Sequence, residues 1–436
     1  MTPLSWFGIV RLGLVQMALG SVVVLTTSTL NRVMVVELAL PALLPGFLVA
    51  LHYAMGMLRP RWGHGSDRAA RRTPWILGGV AVLALGGLLA AVATGLMATA
   101  FVPAAVLAVL AFLMIGGGVG AAGTALLALL SCRVAPGRRG AAATIVWLMM
   151  IFGLAATAGI SGALLDPYSP ERLVAVAAGI AVVAMTLAVA GVWGVERGSP
   201  LPAPEAAAPF RAVLRETWAE PAARRFTVFV FVSMLAFSAQ DLILEPFAGH
   251  VFGMTVGEST QLAAKQQMGI FFGMVAVALL SAGVGGRWFG SLAGWTVAGC
   301  LGSAAALAGL ALGGFAGGGA WPLAANVVAL GFFNGMFAVA AIGSMMALAG
   351  GTGREGARMG LWGAAQAVAF GLGGLLGSGS ADLARALIGD PGVAYALVFT
   401  AEAAMFVVAA ALAVAAVGGA VPAPTRAHRA ALVPGE

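Results

Sequence analysis

Hydrophobic positions in this chain fall into long unbroken runs, without the alternation of a half-buried strand or the single apolar stripe of a surface helix. Runs near residues 8–30, 40–58, 75–98, 102–131, 142–165 and 172–194 predict six helices long enough to cross a bilayer. A second set near 226–247, 262–284, 289–313, 322–349, 359–380 and 393–417 predicts six more. Between the sets lies a proline-bearing, charged stretch, "GVERGSPLPAPEAAAPFRAVLRETWAEPAARR". The pattern divides the chain into an N-terminal half (1–194), a cytoplasmic linker (195–225), a C-terminal half (226–417) and a cytoplasmic tail (418–436). Within the linker, "FRAVLRETWAE" has the make-up of an amphipathic helix lying on the membrane surface.

Composition agrees with the pattern. Charged residues make up 9% of the 436 residues and hydrophobic residues 61%, with a mean hydropathy of +1.00. A soluble domain carries about 25% charged residues, so the chain reads as an all-α integral membrane protein with twelve transmembrane helices. Every basic residue except Arg32, Arg172, Lys265 and Arg385 falls on one side of the predicted spans. The positive-inside rule then puts both termini in the cytoplasm and accounts for the net charge of +7. No basic patch is interleaved with aromatics, so nucleic acid is not an expected partner; the lipid bilayer is.

Several chemistries are excluded by what is missing. Lys265 is the only lysine and follows no P-loop glycine spacing, and "IGGGVG" at 115–120 lies inside an apolar run. Cys132 and Cys300 form no CxxC pair, and His52, His64, His250 and His428 have no metal-ligand spacing. Neither a metal nor an intrinsic cofactor is expected. There is no paired prenyl-diphosphate motif and no basic cluster within a span, so the chain does not read as an enzyme. The N-terminal run, with no small-x-small cleavage site, reads as a retained first helix.

The halves echo one another. A shift of 220 aligns Gly123 and Thr124 with Gly343 and Ser344, Arg138 with Arg358, Gly140 with Gly360, and Gly153 with Gly373. Parallel six-helix repeats of this kind define the major facilitator fold, whose substrate site lies between the halves near the midplane. The loop "GHGSDRAARR" resembles the G-x-x-x-D-R-x-G-R-R loop of that superfamily at Gly63, Asp67, Arg68, Arg71 and Arg72, with Ala70 replacing the second glycine. The resemblance implies a latch between the halves on the cytoplasmic side.

Polar residues inside the apolar runs are the candidate site. Asn31, Arg32 and Glu37 close the first span, while Gln240, Asp241 and Glu245 occupy the corresponding end of the seventh. Asp241 and Glu245 stand four apart on one helix face, where like charges repel, so Arg32 is expected to bridge them, as an outer gate or as a static clasp. Glu402 lies well inside the last span, as a proton site or as a hydrogen-bonded link between helices. Gln16, Asn326, Asn334 and Gln366 are further polar residues within spans, and Trp147, Trp295 and Trp362 are candidates for stacking or for interfacial anchoring.

Two stretches carry a narrower resemblance. "TLNRVMVVELALPALLPG" and "AFSAQDLILEPFAGHVFGMT" are similar to the paired signature of the bacteriochlorophyll delivery family, the PucC and LhaA-type light-harvesting assembly proteins of phototrophs. The short loop "RPRWGHGSDRAARRTPW" is most similar to the paralogue labelled a bacteriochlorophyll synthase chain. The resemblance implies a carrier or chaperone in the inner (intracytoplasmic) membrane of a phototrophic bacterium. It would pass bacteriochlorophyll, or a late precursor, to pigment-protein complexes, with the synthase and light-harvesting or reaction-centre polypeptides as partners. A non-transporting assembly factor and a proton-coupled small-solute transporter are the alternatives. With such a pigment, Asn31, Gln240, His52 and His250 become candidates to ligate magnesium or donate to pigment carbonyls. His250, after a proline, is expected to be exposed.

Overall fold

The computed structural model describes residues 4–59, 61–62, 66, 71–135, 138–196, 215, 218–280, 291–349 and 355–417. Among these the chain is all-helical. The first half contains α1 (Trp6–Val24), α2 (Leu43–Ala54), α3 (Thr73–Leu96), α4 (Phe101–Arg133), α5 (Arg139–Leu164) and α6 (Pro170–Val192). The second contains α7 (Pro221–Phe252), α8 (Val256–Leu279), α9 (Leu292–Phe315), α10 (Leu323–Ala349), α11 (Glu355–Ile388) and α12 (Pro391–Val417). All but α2 are long and apolar enough to span a bilayer on their own, and α2 with its 3-10 extension is a shorter apolar segment, Leu43–Leu58.

Where helices depart from the expected bounds, local chemistry gives the reason. The first span does not stop near residue 30: it winds on through π-helical turns at Leu25–Leu30 and Val33–Glu37. The seventh passes through Pro246 and ends at Phe252, where Gly253 takes the left-handed conformation (φ 64°). The eighth begins at Val256, because the polar "TVGE" is a capping box: Thr255 accepts from the Glu258 amide and the Glu258 carboxylate accepts from that of Thr255. The eleventh runs on to Ile388, since Asp382 and Arg385 pair with each other (2.6 Å) instead of ending the helix.

Helix packing repeats between the halves. The pairs α1–α5, α1–α6, α3–α4, α3–α6 and α2–α4 recur as α7–α11, α7–α12, α9–α10, α9–α12 and α8–α10. One hydrophobic core is built largely from residues 9–195 and a second from Phe226 to Ala416. The seams joining the halves are also a matched pair, α5 against α8 and α2 against α11. Both are tight near the face remote from the termini. A Cβ on Gly162 would stand 2.6 Å from the Gly257 carbonyl, and one on Gly46 would stand 2.8 Å from Ser378 Oγ. Glycine permits that backbone approach, as in membrane helix packing generally.

Candidate functional site

The π-helical end of α1 carries the first group of predicted residues into the seam. Asn31 is fully buried, and its amide donates to the Leu242 carbonyl of α7 at 2.7 Å. Arg32 is buried as well. It donates to Glu37 Oε1 at 2.9 Å and to the Met254 carbonyl, in the other half, at 2.6 Å. Gly249 makes room for it, since a Cβ there would lie 2.7 Å from Arg32 Nε.

Arg32 therefore joins the halves by a route other than the expected one. It makes no ion pair with Asp241 or Glu245 among the described residues; its charge is met by Glu37 on its own helix. The reason is depth. Arg32 lies level with Gly249, one helical turn, or about 6 Å, beyond Glu245 and two beyond Asp241. Glu245 is buried and faces Ser28 and Arg32, with Oε2 unpartnered. Asp241 is half-buried and lies within electrostatic reach of Tyr53 on α2.

Two carboxylates that sequence reasoning missed complete this face. Asp166, just after α5, accepts from Thr255 Oγ1 (2.8 Å) and from the Gly257 amide (3.2 Å), at the start of α8. Asp382, on α11, accepts from the amides of Ala42 and Leu43 (3.0 and 2.8 Å), at the start of α2. Each carboxylate thus caps a helix of the opposite half, where free N–H groups and the helix dipole favour a negative charge. Behind Asp382 stand Arg385, His250 Nε2 (3.5 Å from Arg385) and Tyr395, whose hydroxyl lies 3.1 Å from His250 Nδ1. His250 is therefore not an exposed residue beyond a turn. It sits half-buried inside α7, because Pro246 leaves that helix unbroken.

Beside the Asp166 cap lies a cleft of about 410 Å³ lined by Arg32, Glu37, Asp166, Tyr168, Met254 and Thr255. Burial, with the carboxylates of Glu37 and Glu171 nearby, raises the Tyr168 phenol above its ordinary range. Deeper in, Tyr53, Phe370 and Phe237 form an aromatic ladder with ring centroids 5.2 and 5.7 Å apart, crossing the α2–α11 seam. Trp147 packs at the α5–α8 seam beside Ile151, Ile270 and Met274. Trp362, by contrast, is core, fully buried and edge-on to Phe226. His52 is buried edge-on to Tyr53, with Nδ1 unpartnered.

The remaining candidates separate. Gln240 and Glu402 are buried with every side-chain oxygen and nitrogen unpartnered. Asn334 is held by Ser303 (2.8 Å), and Asn326 donates to the Ala306 carbonyl, so both join helices within the second half. Gln16 Nε2 lies against Met150 Sδ and Gln366 Nε2 against Met234 Sδ. Of the expected latch, Gly63, Asp67 and Arg68 lie outside the described residues. Arg71 is exposed, and Arg72 is buried, with bonds to other residues of the first half. Its guanidinium donates to the Ala128 carbonyl and to Cys132 Sγ, and its amide donates to Glu196. Glu196, another residue missed by sequence reasoning, also accepts from the amide and hydroxyl of Thr73 at 2.7 Å, capping α3 from beyond α6.

Known proteins share both this fold and the sequence. A bacterial homologue of the lysosomal transporter Spinster, solved in an inward-facing, unoccupied conformation, superposes with a TM-score of 0.67 at 18% identity, covering 96% of this chain and 98% of that one. A bacterial homologue of the peptide transporters PepT1 and PepT2 superposes equally well, at 15% identity, covering 94% and 98%. Both likenesses give the major facilitator transporter fold. In sequence, the chain is 56% identical to the Bacteriochlorophyll synthase 44.5 kDa chain of Rhodobacter capsulatus over 97% of its own length and 98% of the relative's. It is 31% identical to Protein PucC of the same organism, over 94% and 92%. The PUCC protein family model matches residues 29–420, which begins inside the buried stretch that crosses the seam and ends just past α12, and the chain belongs to that family.

Proposed function

We propose that this protein is a membrane carrier or chaperone that receives bacteriochlorophyll, or a late precursor, and delivers it to photosynthetic pigment-protein complexes during assembly. The observation that carries the reading is the pairing of family and site: a PUCC-family chain whose halves meet around an aromatic ladder beneath a polar, capped face. A tetrapyrrole is large, flat and greasy, with a few carbonyls and a metal, and it needs a mostly apolar cleft with sparse polar groups. Tyr53, Phe370, Phe237 and Trp147 supply aromatic faces along the seams, and Asp241, Glu245 and Asn31 supply polar groups at one end. In this reading the capped face is the non-cytoplasmic one, and the membrane is the inner (intracytoplasmic) membrane of a phototroph. The partners are the synthase that makes the pigment and the light-harvesting or reaction-centre polypeptides that take it.

The chain itself catalyses nothing in this reading. The word synthase in a relative's name then describes the machinery that relative serves. The pigment is cargo, and no resident cofactor is invoked.

Purification in mild detergent from a phototrophic membrane, followed by absorption spectroscopy, tests the proposal. Stoichiometric bacteriochlorophyll on the wild type, reduced in an Arg32→Gln, Glu245→Gln double variant, is the expected result. A colourless protein that still co-purifies with synthase or antenna subunits would overturn the carrier reading in favour of an assembly factor. A colourless protein with neither partner, but with uptake of a small solute driven by a proton gradient, would make it an ordinary transporter.

A further inference from the structure

The interior of the second half contains a polar layer that the pigment reading does not use. Along α7 a buried stripe runs through Phe229, Ser233, Ala236, Gln240, Ile243 and Phe247. Along α12 another runs through Tyr395, Phe399, Glu402, Phe406 and Ala409, and along α10 a third through Leu330, Asn334, Phe337 and Ala341. The three- and four-residue steps keep each stripe on one helix face. Ring contacts show that these faces meet: Phe247 with Phe399 at 5.0 Å, Phe337 with Phe406 at 6.0 Å, and Phe229 with Phe337 at 6.4 Å. Gln240, Glu402 and Asn334 thus project into one interior, walled by phenylalanines.

Gln240 and Asn334 are 0% exposed and Glu402 3%. Gln240 Nε2 and Oε1, Glu402 Oε1 and Oε2, and Asn334 Nδ2 have no hydrogen-bond partner, while Asn334 Oδ1 accepts from Ser303. A buried polar atom left unsatisfied loses its hydration with no compensating bond, so such a group of atoms calls for an occupant. Helix packing does not require the layer. In the repeat, α6 is the counterpart of α12, and its sequence has no charged residue after Arg172.

We propose that Glu402, with Gln240 and Asn334, binds one monovalent cation, a sodium ion or a proton, inside the second half. The Glu402 carboxylate and the Gln240 amide offer unpartnered hard oxygen ligands, Asn334 Oδ1 offers a third that it shares with Ser303, and the single negative charge matches a single positive one. No group of three His, Cys, Asp or Glu residues that would suit a transition metal occurs among the described residues. Asp241, the neighbour of Gln240 and within electrostatic reach of Glu402, faces the seam and gives the ion a polar step toward it. The site stands independently of the pigment reading and rests on it only for what the ion would drive.

Sodium-22 binding to the purified protein, alongside infrared spectra of its carboxyl groups as bulk pH is varied, tests the site. Saturable sodium binding that disappears in Glu402→Gln and weakens at least about tenfold in Gln240→Leu identifies sodium. An absence of sodium binding, with a Glu402-dependent carboxylic-acid band that titrates with bulk pH and shifts in Gln240→Leu, identifies the proton. No sodium binding together with a Glu402 band that is invariant with pH and indifferent to Gln240→Leu would overturn the proposal. If Glu402→Gln does not fold, Gln240→Leu and Asn334→Leu carry the same comparison.

Discussion

Asp166 and Asp382 do the same work from opposite halves: each caps the first turn of a helix in the other, Asp166 on α8 and Asp382 on α2. Because α5 repeats as α11 and α2 as α8, the two caps are counterparts in the duplication. They hold the face of the molecule on which Arg32 and Asn31 also cross the seam.

Removing either cap will loosen that face. Loss of an N-cap costs about 0.5–2 kcal/mol, so Asp382→Ala is expected to raise several-fold the population in which the halves are apart at this face, and exposed Asp166→Ala somewhat less. Spin labels on the connections after α5 and α11, with distances read by pulsed electron resonance, will show a second, longer population in each variant. Unchanged distances would make the caps local to their helices.

Gly249→Ala places a methyl against Arg32 Nε and forces the guanidinium away from the Met254 carbonyl. A charge-assisted bond of this kind is worth about 1.5–3 kcal/mol, and its loss should appear as a lower thermal midpoint in detergent. Gly253→Ala, which has open space around it but a φ of 64°, should cost only about 1 kcal/mol from backbone strain. The ranking of the two variants is the measurement.

Ala39, in the connection between α1 and α2, holds φ at 49° without the freedom of glycine. Ala39→Gly is expected to stabilise the protein by up to about 1 kcal/mol, seen as a raised thermal midpoint. A lowered midpoint would mean that the unfolded chain gains more freedom than the folded one loses strain.

Glu196→Gln leaves the amides of Arg72 and Thr73 facing a neutral acceptor in place of a carboxylate. Stability should fall by about 1 kcal/mol, with faster hydrogen exchange confined to the start of α3. Exchange that also rises along the α5–α8 seam would show that this cluster acts on both halves, as the loop resemblance implies.

What the sequence made legible follows from what each signal depends on. Twelve apolar runs and their division into halves were readable because bilayer thickness sets helix length, and the repeat because its glycines and arginines kept register. Asn31 and Arg32 could be singled out because a polar side chain in an apolar run must find a partner. The partners themselves could not be read. Arg32 meets the Met254 carbonyl, and Asn31 that of Leu242, and main-chain acceptors have no signature. Asp166 and Asp382 carry no signal in the sequence, because a cap supplied by a distant segment lacks the local S/T-x-x-E spacing that marks Thr255. The letters LTTSTL at Leu25–Leu30, mostly hydroxyl-bearing, likewise gave no sign of a wider winding.

That wider winding makes the first span a helix with surplus chain. A π-helical turn accommodates an additional residue between α-helical neighbours, and shifting one residue out of it turns everything beyond by about 100°. If Leu25–Leu30 tightened to ordinary pitch, Asn31 and Arg32 would swing off Leu242 and Met254 together while Trp6–Val24 stayed docked on α5 and α6. One change of winding, needing no movement of either half as a body, would then release both of those bonds at once.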